Sequence, residues 1–352
     1  MKATISKLYS SSHEFRPSVQ RKVGILILVS AILGMILVNV AHKSYESIFE
    51  TENSIFGMSV TEFIDKGLMS IFFFAAGMEI RHEFFHGHLV DKNHRKLPLY
   101  CAAGGVIAPF ILMAIFGGAS YLFSYGDSGH IFRGMPIPIA TDIVFALAFL
   151  SFFSNRIPKS LRAFVLTFAV IDDLIGLCML FFLQGSISPT AVAVVLGFLI
   201  PTHFKTYQLR SHLLAKLLIV NSFIILPVFA LANGGVSFKG ISLGSISAES
   251  LFWAIIVSQI VGKIIGIYSV SILAIRSPKL SIPTGCTKQH MFVASCVAAI
   301  GFTLSLYLAK AAFDSGGNVL LISKLAIVVA TLIAISLSVY SALKLPVKET
   351  NK

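Results

Sequence analysis

Long apolar stretches, separated by shorter polar ones, occupy most of the chain. Ten of them predict helices, and a helix needs roughly 20 apolar residues to cross a bilayer core about 30 Å thick. The stretches lie near residues 23–41, 60–80, 97–123, 136–153, 160–183, 189–201, 213–235, 250–275, 289–312 and 321–343. The sixth is short, and is either a half-span or a full span that extends into its flanks. The pattern predicts an all-α integral membrane protein with about ten transmembrane helices.

Basic residues are distributed unevenly between these stretches. With the N-terminus placed in the cytoplasm, 21 of the 28 Lys and Arg residues fall in cytoplasmic segments and 3 fall in outer loops. An excess of this kind is typical of the cytoplasmic segments of membrane proteins. An odd number of spans would remove the bias, so the distribution predicts an even number, with both termini in the cytoplasm.

Composition narrows the class of protein further. Hydrophobic residues make up 56% of the 352 residues and charged residues 12%, about half the charged fraction of a soluble domain. The net charge is +12, and most of the basic residues that cause it lie between the apolar stretches, as in the loops of membrane proteins. No nucleic-acid partner is therefore expected. No linker or second domain interrupts the chain, and the four Cys show no CxxC spacing. We therefore expect one membrane domain over residues 1–352, in contact with the lipid bilayer and without a cofactor.

Glycine and proline interrupt several of the predicted spans. Broken helices occur at membrane depth only where protein or water satisfies the backbone groups that the break sets free. Breaks in both halves of a chain indicate the binding site of a transporter. The interrupting residues are Gly104, Gly105, Pro109, Pro136, Pro138, Pro227, Gly234, Gly235, Gly262, Gly266 and Gly301.

Four charged residues lie inside otherwise apolar stretches, namely Asp142, Asp172, Asp173 and Lys263. Each such charge costs roughly 2.5–3.5 kcal/mol at the centre of a spanning helix on insertion scales, so each position needs a reason. Ion pairs that hold helices together are one reason. Three acids and one base cannot all pair one to one, however, so we also expect an ion site.

Asp172 and Asp173 are adjacent, so their side chains point about 100° apart on a helix. One can face Lys263 while the other faces a cavity. Two neighbouring carboxylates in a poorly hydrated site repel each other, which favours binding of a proton or of a small hard cation. Competition of both ions for one carboxylate is the simplest chemistry of exchange. Thr141, next to Asp142, either contributes an oxygen to the same cavity or bonds to its own helix backbone.

Six motifs include these charges or lie on other predicted spans. They are Phe73–Glu79, Pro138–Leu147, Ile171–Leu174, Leu226–Gly235, Gly262–Lys263 with Gly266, and Gly301–Ser305. Together these motifs resemble the NhaA family of bacterial sodium/proton antiporters. They are specific for that family, and the resemblance extends over most of the chain, from about residue 23 to 340.

The resemblance implies an antiporter, not an enzyme. It would export sodium or lithium in exchange for external protons by alternating access, and so serve pH and sodium homeostasis. Its fold would consist of inverted repeats with two broken, crossing helices. A core near 97–183 and 250–343 would move against a panel near 23–80 and 189–235. The chain would be a multi-pass protein of the bacterial inner membrane, and a homodimer is a further expectation.

The resemblance also implies roles for single residues. Asp173 would be the main carrier of ion and proton, and Asp172 would share the sodium site or pair with Lys263. Asp142 and Thr141 would lie at the crossing of the broken helices, where Asp142 balances the facing helix ends. The second broken helix would contain Gly301, Phe302, Thr303 and Ser305.

The chain departs from the family in length. The family usually has twelve spans, and this chain is shorter by roughly two of them between the paired aspartates and Pro201. An outer hairpin that the family uses for dimerisation is also shortened, near 42–58. A transport-inactive or altered homologue is therefore an alternative.

A second motif predicts a different chemistry. The segment from His82 through Glu83 to His86 matches H-E-x-x-H, which on a helix places two His on one face as zinc ligands. A membrane zinc metalloprotease is thus a rival interpretation, although no third ligand motif is present. Within the resemblance, the same stretch belongs to a segment used in pH response, where it would act together with Glu79. A solvated loop at the membrane edge is the plainer alternative.

Overall fold

The predicted apolar stretches all form helices. The computed structural model describes residues 17–51, 57–85, 95–123, 128–184, 189–200, 213–237, 249–276, 280, 282–313 and 317–347. These ranges contain helices and no β-strand, which confirms the all-α class. The helices are α1 (Pro17–Val40), α2 (His42–Phe49), α3 (Val60–Phe63, Ile64–Leu68 and Met69–Phe85 in succession), α4 (Lys96–Phe123), α5 (Ser128–Arg133), α6 (Ile143–Phe152), α7 (Lys159–Gln184), α8 (Pro189–Leu199), α9 (Leu213–Asn233), α10 (Ser250–Arg276), α11 (Lys288–Ala298), α12 (Thr303–Ala312) and α13 (Asn318–Leu343).

Helix length and apolarity identify the candidate spans. In the described part of the chain, the 5 helices α1, α4, α9, α10 and α13 are long and apolar enough to cross a membrane. Two bent helix pairs, α5–α6 and α11–α12, raise this number to 7 if each pair is one span. The remaining predicted stretches form α3, α7 and the shorter α8. The chain is therefore a multi-pass membrane protein, while the full count of ten spans stays a prediction.

In the described ranges, three long helices each contain one wider, π-helical turn. The turns are Ile64–Leu68 in α3, Asn221–Ile225 in α9 and Ser258–Gly262 in α10. Such turns are rare and occur frequently at functional sites. The turn in α10 directly precedes Lys263, the basic residue that the sequence places inside an apolar stretch.

The chain divides into two compact units. One comprises residues 1–82 and 186–237, and the other comprises residues 83–185 and 238–352. All of the intramembrane charges named above belong to the second unit. The sequence-based division into a panel and a moving core uses similar bounds, and the motion itself stays a prediction.

Glycine allows helices α4 and α10 of the second unit to approach closely. A Cβ atom at Gly104 would lie 2.6 Å from the carbonyl oxygen of Gly266, and one at Gly262 would lie 2.8 Å from the Cα atom of Pro109. Membrane helices gain dispersion contacts where small residues let their backbones meet. This packing fixes the position of α10, which carries Lys263.

Glycine also allows close approach of helices in the first unit. A Cβ atom at Gly34 of α1 would meet the carbonyl oxygen of Leu231 in α9, and one at Gly77 of α3 would meet that of Val194 in α8. Asn233, at the end of α9, donates to Asp65 of α3 at 2.8 Å. This bond joins α9 to α3 within the first unit.

Candidate functional site

Two spans of the second unit are broken, as the sequence predicts. The segment Ser128–Ile139 contains α5 and the 3-10 helix Ile137–Ile139, and it is bent by 44° relative to α6 across residues 140–142. Helices α11 and α12 are bent by 44° across residues 299–302. Each break ends one helical segment and begins another. It therefore leaves both free carbonyl groups and free N–H groups within the apolar part of the chain.

A single carboxylate caps the two segments that begin at these breaks. Asp142 accepts from the backbone N–H of Phe145 in α6 at 3.2 Å. It also accepts from the backbone N–H of Thr303 at 3.1 Å and from its hydroxyl at 2.6 Å, at the start of α12. The N–H of Asp142 donates to the carbonyl oxygen of Ile300 at 2.8 Å, so the two breaks touch. A negative charge is favourable where two helix N-termini converge.

A single ammonium binds the opposite, carbonyl end of the second break. Lys263 donates to the carbonyl oxygen of Ala298, the last residue of α11, at 3.3 Å. The hydroxyl of Thr141 donates to the same oxygen at 2.9 Å and accepts from Lys263. Thr141 therefore bridges the two breaks instead of bonding to its own helix backbone. A positive charge is favourable at a helix C-terminus.

Lys263 also pairs with Asp172 of α7. The Nζ atom lies 3.1 Å from Oδ2 of Asp172, and both side chains are 0% exposed. An ammonium has three donors, and here they bond to Asp172, Thr141 and the carbonyl of Ala298. Each of the three donors of Lys263 thus has an acceptor, and one of these acceptors carries the opposite charge.

The two adjacent aspartates of α7 differ in their surroundings. Asp172 is buried, and its second oxygen, Oδ1, has no hydrogen-bond partner. Asp173 is only partly buried, and it contributes Coulombic attraction to Lys263. Carboxylate oxygens are the ligands that hard cations prefer. The pair therefore combines one oxygen without a donor and one carboxylate that is only partly buried.

The other predicted residues of the second broken helix support the crossing. A Cβ atom at Gly301 would meet the carbonyl oxygen of Ala140, so only glycine permits this approach. The ring of Phe302 packs edge-on against that of Phe145, with centroids 6.0 Å apart. The hydroxyl of Ser305 donates to the carbonyl oxygen of Ile137 at 2.9 Å.

Sequence reasoning missed two residues at this crossing. The amide nitrogen of Gln259 donates to the carbonyl oxygens of Ala299 and Gly301, at 3.3 and 3.0 Å. The hydroxyl of Thr331 donates to the carbonyl oxygen of Gly301 at 2.8 Å. Gln259 had a detectable signal, because it is a polar residue in an apolar stretch, four positions before Lys263. Thr331 had none, since Thr often bonds within its own helix.

Three of the four predicted pH-response residues, Glu79, His82 and Glu83, lie on α3. Glu79 is partly buried, while His82 and Glu83 are buried, at 7% and 3% exposure. His86 lies outside the described residues, so the geometry of the H-E-x-x-H segment is not described in full. Within the described ranges, no group of three or more His, Cys, Asp or Glu residues is arranged to hold a metal ion.

Comparison with known proteins decides the family. The family model described as Na+/H+ antiporter 1 matches residues 17–183 and 176–341. This chain belongs to that family. It is 33% identical over 341 residues to the Na(+)/H(+) antiporter NhaA of Aliivibrio fischeri (strain MJ11), a match that covers 82% of this chain and 86% of the relative. It is 31% identical over 344 residues to the protein of the same name from Vibrio vulnificus (strain YJ016), covering 84% and 85%.

Membership of the Na+/H+ antiporter 1 family confirms the resemblance drawn from the sequence motifs. The family model matches in two pieces that meet near residues 176–183, at the end of α7. The sequence places the shortening of the chain just beyond this point. Both pieces include parts of the site, because Asp142, Asp172 and Asp173 lie in the first and Lys263 lies in the second.

Proposed function

We propose that this chain is a sodium/proton antiporter of the bacterial inner membrane, which exports sodium or lithium in exchange for external protons. It belongs to a family named for that exchange. The observation that carries the proposal for the site is the buried carboxylate of Asp172, with one oxygen paired to Lys263 and the other without a donor. Such a carboxylate has capacity for one more cation, either a proton or a metal ion.

Asp173 is the main carrier in this proposal. It is next to Asp172 and less buried, so an ion arriving from water meets its carboxylate first. A sodium ion bound by Asp173 and the second oxygen of Asp172 would draw negative charge away from Lys263. Protonation of the same carboxylates would expel the sodium ion. Exchange then follows because both ions compete for one set of oxygens.

Asp142, Thr141 and Lys263 keep the crossing intact while the ion changes. The carboxylate of Asp142 is already occupied by donors from both half-helices, which makes it a poor ligand for a transported ion. Its charge compensates the helix N-termini, and that of Lys263 compensates the carbonyl end of α11. The crossing thus supplies a rigid frame beside the pair on α7.

The transport cycle would be alternating access, in which the core exposes its aspartates to one side of the membrane at a time. Net charge moves in this cycle, with protons entering as sodium leaves. We further propose that both termini are cytoplasmic, in line with the distribution of Lys and Arg residues. A homodimer, and a role of Glu79, His82, Glu83 and His86 in pH response, belong to the same proposal.

Proton release from everted membrane vesicles tests the function. Vesicles containing the wild-type chain are expected to release protons on addition of sodium over about pH 6.5–8.5, and Asp173→Asn is expected to abolish the signal. Glu62→Gln, which removes an exposed carboxylate at the start of α3, is the matched control and should behave like wild type. An intact signal in Asp173→Asn would overturn the carrier role. A silent wild type, folded and present in the vesicles, would favour the transport-inactive alternative.

A further inference from the structure

Gln259 bonds to the break of the second broken helix, although nothing in its own helix requires a polar residue there. Its side chain is 0% exposed, within the π-helical turn Ser258–Gly262 of α10. The amide nitrogen donates to the carbonyl oxygens of Ala299 and Gly301, and the amide oxygen has no hydrogen-bond partner. The two acceptors fix the orientation of the amide, since an oxygen turned toward them would be repelled.

The carbonyl groups at this break bond to donors from several different elements. The oxygen of Ala298 accepts from Lys263 and Thr141, and that of Ile300 accepts from the N–H of Asp142. Gln259 supplies the donor for the residue between them, Ala299. A buried carbonyl without a donor costs free energy, so loss of the amide would strain the break.

Gln259 and Lys263 are four residues apart and therefore lie on the same side of α10. Together they bind the carbonyl groups of residues 298, 299 and 301, where α11 ends. Their chemistry differs. The ammonium of Lys263 also pairs with Asp172, so its contacts depend on the charge state of the ion site, whereas a neutral amide does not respond to a proton or a cation.

We infer that Gln259 is a positioning residue for transport: it keeps the end of α11 attached to α10 while Lys263 changes its partners. The inference rests on the proposed antiport. The inference goes beyond the antiport proposal because Gln259 is not an ion ligand in that proposal and acts only through the carbonyl groups of the break. Without the amide, a weakened contact of Lys263 would also release Ala299, and the frame beside the aspartates would shift.

Sodium kinetics and the pH profile test this role. Gln259→Leu removes the amide at similar size, and is expected to raise the apparent KM for sodium about two- to tenfold, the equivalent of one lost hydrogen bond. Gln259→Glu keeps the shape, but an ionised carboxylate would face two carbonyl oxygens. Its activity is therefore expected to match wild type at the acidic end of the range and to fall with rising pH more steeply than wild type.

Ser258→Ala is the matched control, because the hydroxyl of Ser258 lies in the same turn and makes no hydrogen bond. It should keep the wild-type KM and pH profile. A wild-type KM in Gln259→Leu together with a wild-type pH profile in Gln259→Glu would overturn the inference.

Unfolding of the purified chain in detergent separates this inference from the proposed function. Gln259→Glu should lose stability relative to wild type as pH rises, because the neutral acid can donate to a carbonyl and the ionised form cannot. If wild-type vesicles show no exchange, the antiport proposal fails, and this pH-dependent unfolding still decides whether residue 259 holds the break. Unfolding of Gln259→Glu that follows wild type at every pH would overturn that role.

Discussion

The buried ion pair between Lys263 and Asp172 makes a quantitative prediction for stability. Lys263→Met removes the ammonium and keeps an unbranched side chain of similar length. Oδ2 of Asp172 then loses its bond to Lys263, and Oδ1 already has no donor, so a carboxylate remains buried without compensation. Breaking one side of a buried ion pair costs about 3–5 kcal/mol, so we expect a loss of that size.

Removal of the acid is expected to cost less. In Asp172→Asn the ammonium keeps Thr141 and the carbonyl oxygen of Ala298 as acceptors. The loss is then nearer that of one hydrogen bond to a charged group, about 1.5–3 kcal/mol. The double variant leaves no unpaired charge, so its cost should be smaller than the sum of the two single costs. Lys263→Met is expected to cost more than Asp172→Asn because Asp172 has no donor other than Lys263, whereas Lys263 has two further acceptors.

Unfolding of the purified full-length chain by titration with a denaturing detergent, near pH 8, measures these differences. Lys66→Met is the control, since Lys66 forms an exposed pair with Glu62 on α3 and such pairs contribute only about 0–1 kcal/mol. The reasoning is wrong if Lys263→Met costs no more than Lys66→Met, or if it costs no more than Asp172→Asn.

Substitutions at three further positions test the frame of the site by the same unfolding measurement. Thr303→Val should cost about 1.5–3 kcal/mol, since the hydroxyl bond to the carboxylate of Asp142 is lost, while Thr303→Ser should restore most of it; equal stability of the two variants would contradict this role. Gly301→Ala should cost about 1–3 kcal/mol, because the new methyl group meets the carbonyl oxygen of Ala140, and a neutral result would show that the break can relax. His290→Ala should cost about 1 kcal/mol through loss of the capping box at the start of α11, and His290→Gln, which can rebuild that box, should be closer to wild type than the alanine variant.

The helical class and the site were predictable to different extents. The ten apolar stretches all coincide with helices, because a long apolar segment in a bilayer has no other way to satisfy its backbone. The two breaks were predictable from Pro138 and Gly301, which either disrupt a helix or permit an unusually close approach. The number of full spans does not follow from the apolar stretches alone, since α3 carries charges and α8 is too short to span a membrane by itself.

The sequence by itself determined that the chain is a membrane protein, that glycine and proline interrupt several spans, and that acids lie inside its apolar stretches. These are local properties, fixed by runs of side chains and by single residues. Only the tertiary structure decided which acid meets which partner. Asp172 rather than Asp173 pairs with Lys263, although the two are neighbours in sequence, because the pitch of α7 turns one of them toward α10.

The tertiary structure also assigned Asp142 to both helix N-termini and brought Gln259 to the break of α11. The contact of Asp142 with Thr303 joins residues 161 positions apart, and that of Gln259 with Ala299 joins residues 40 positions apart. No periodicity within a segment can specify them, because they depend on how α6, α10, α11 and α12 pack together. The broken helices predict that free carbonyl and N–H groups exist, and the packing decides which side chains satisfy them.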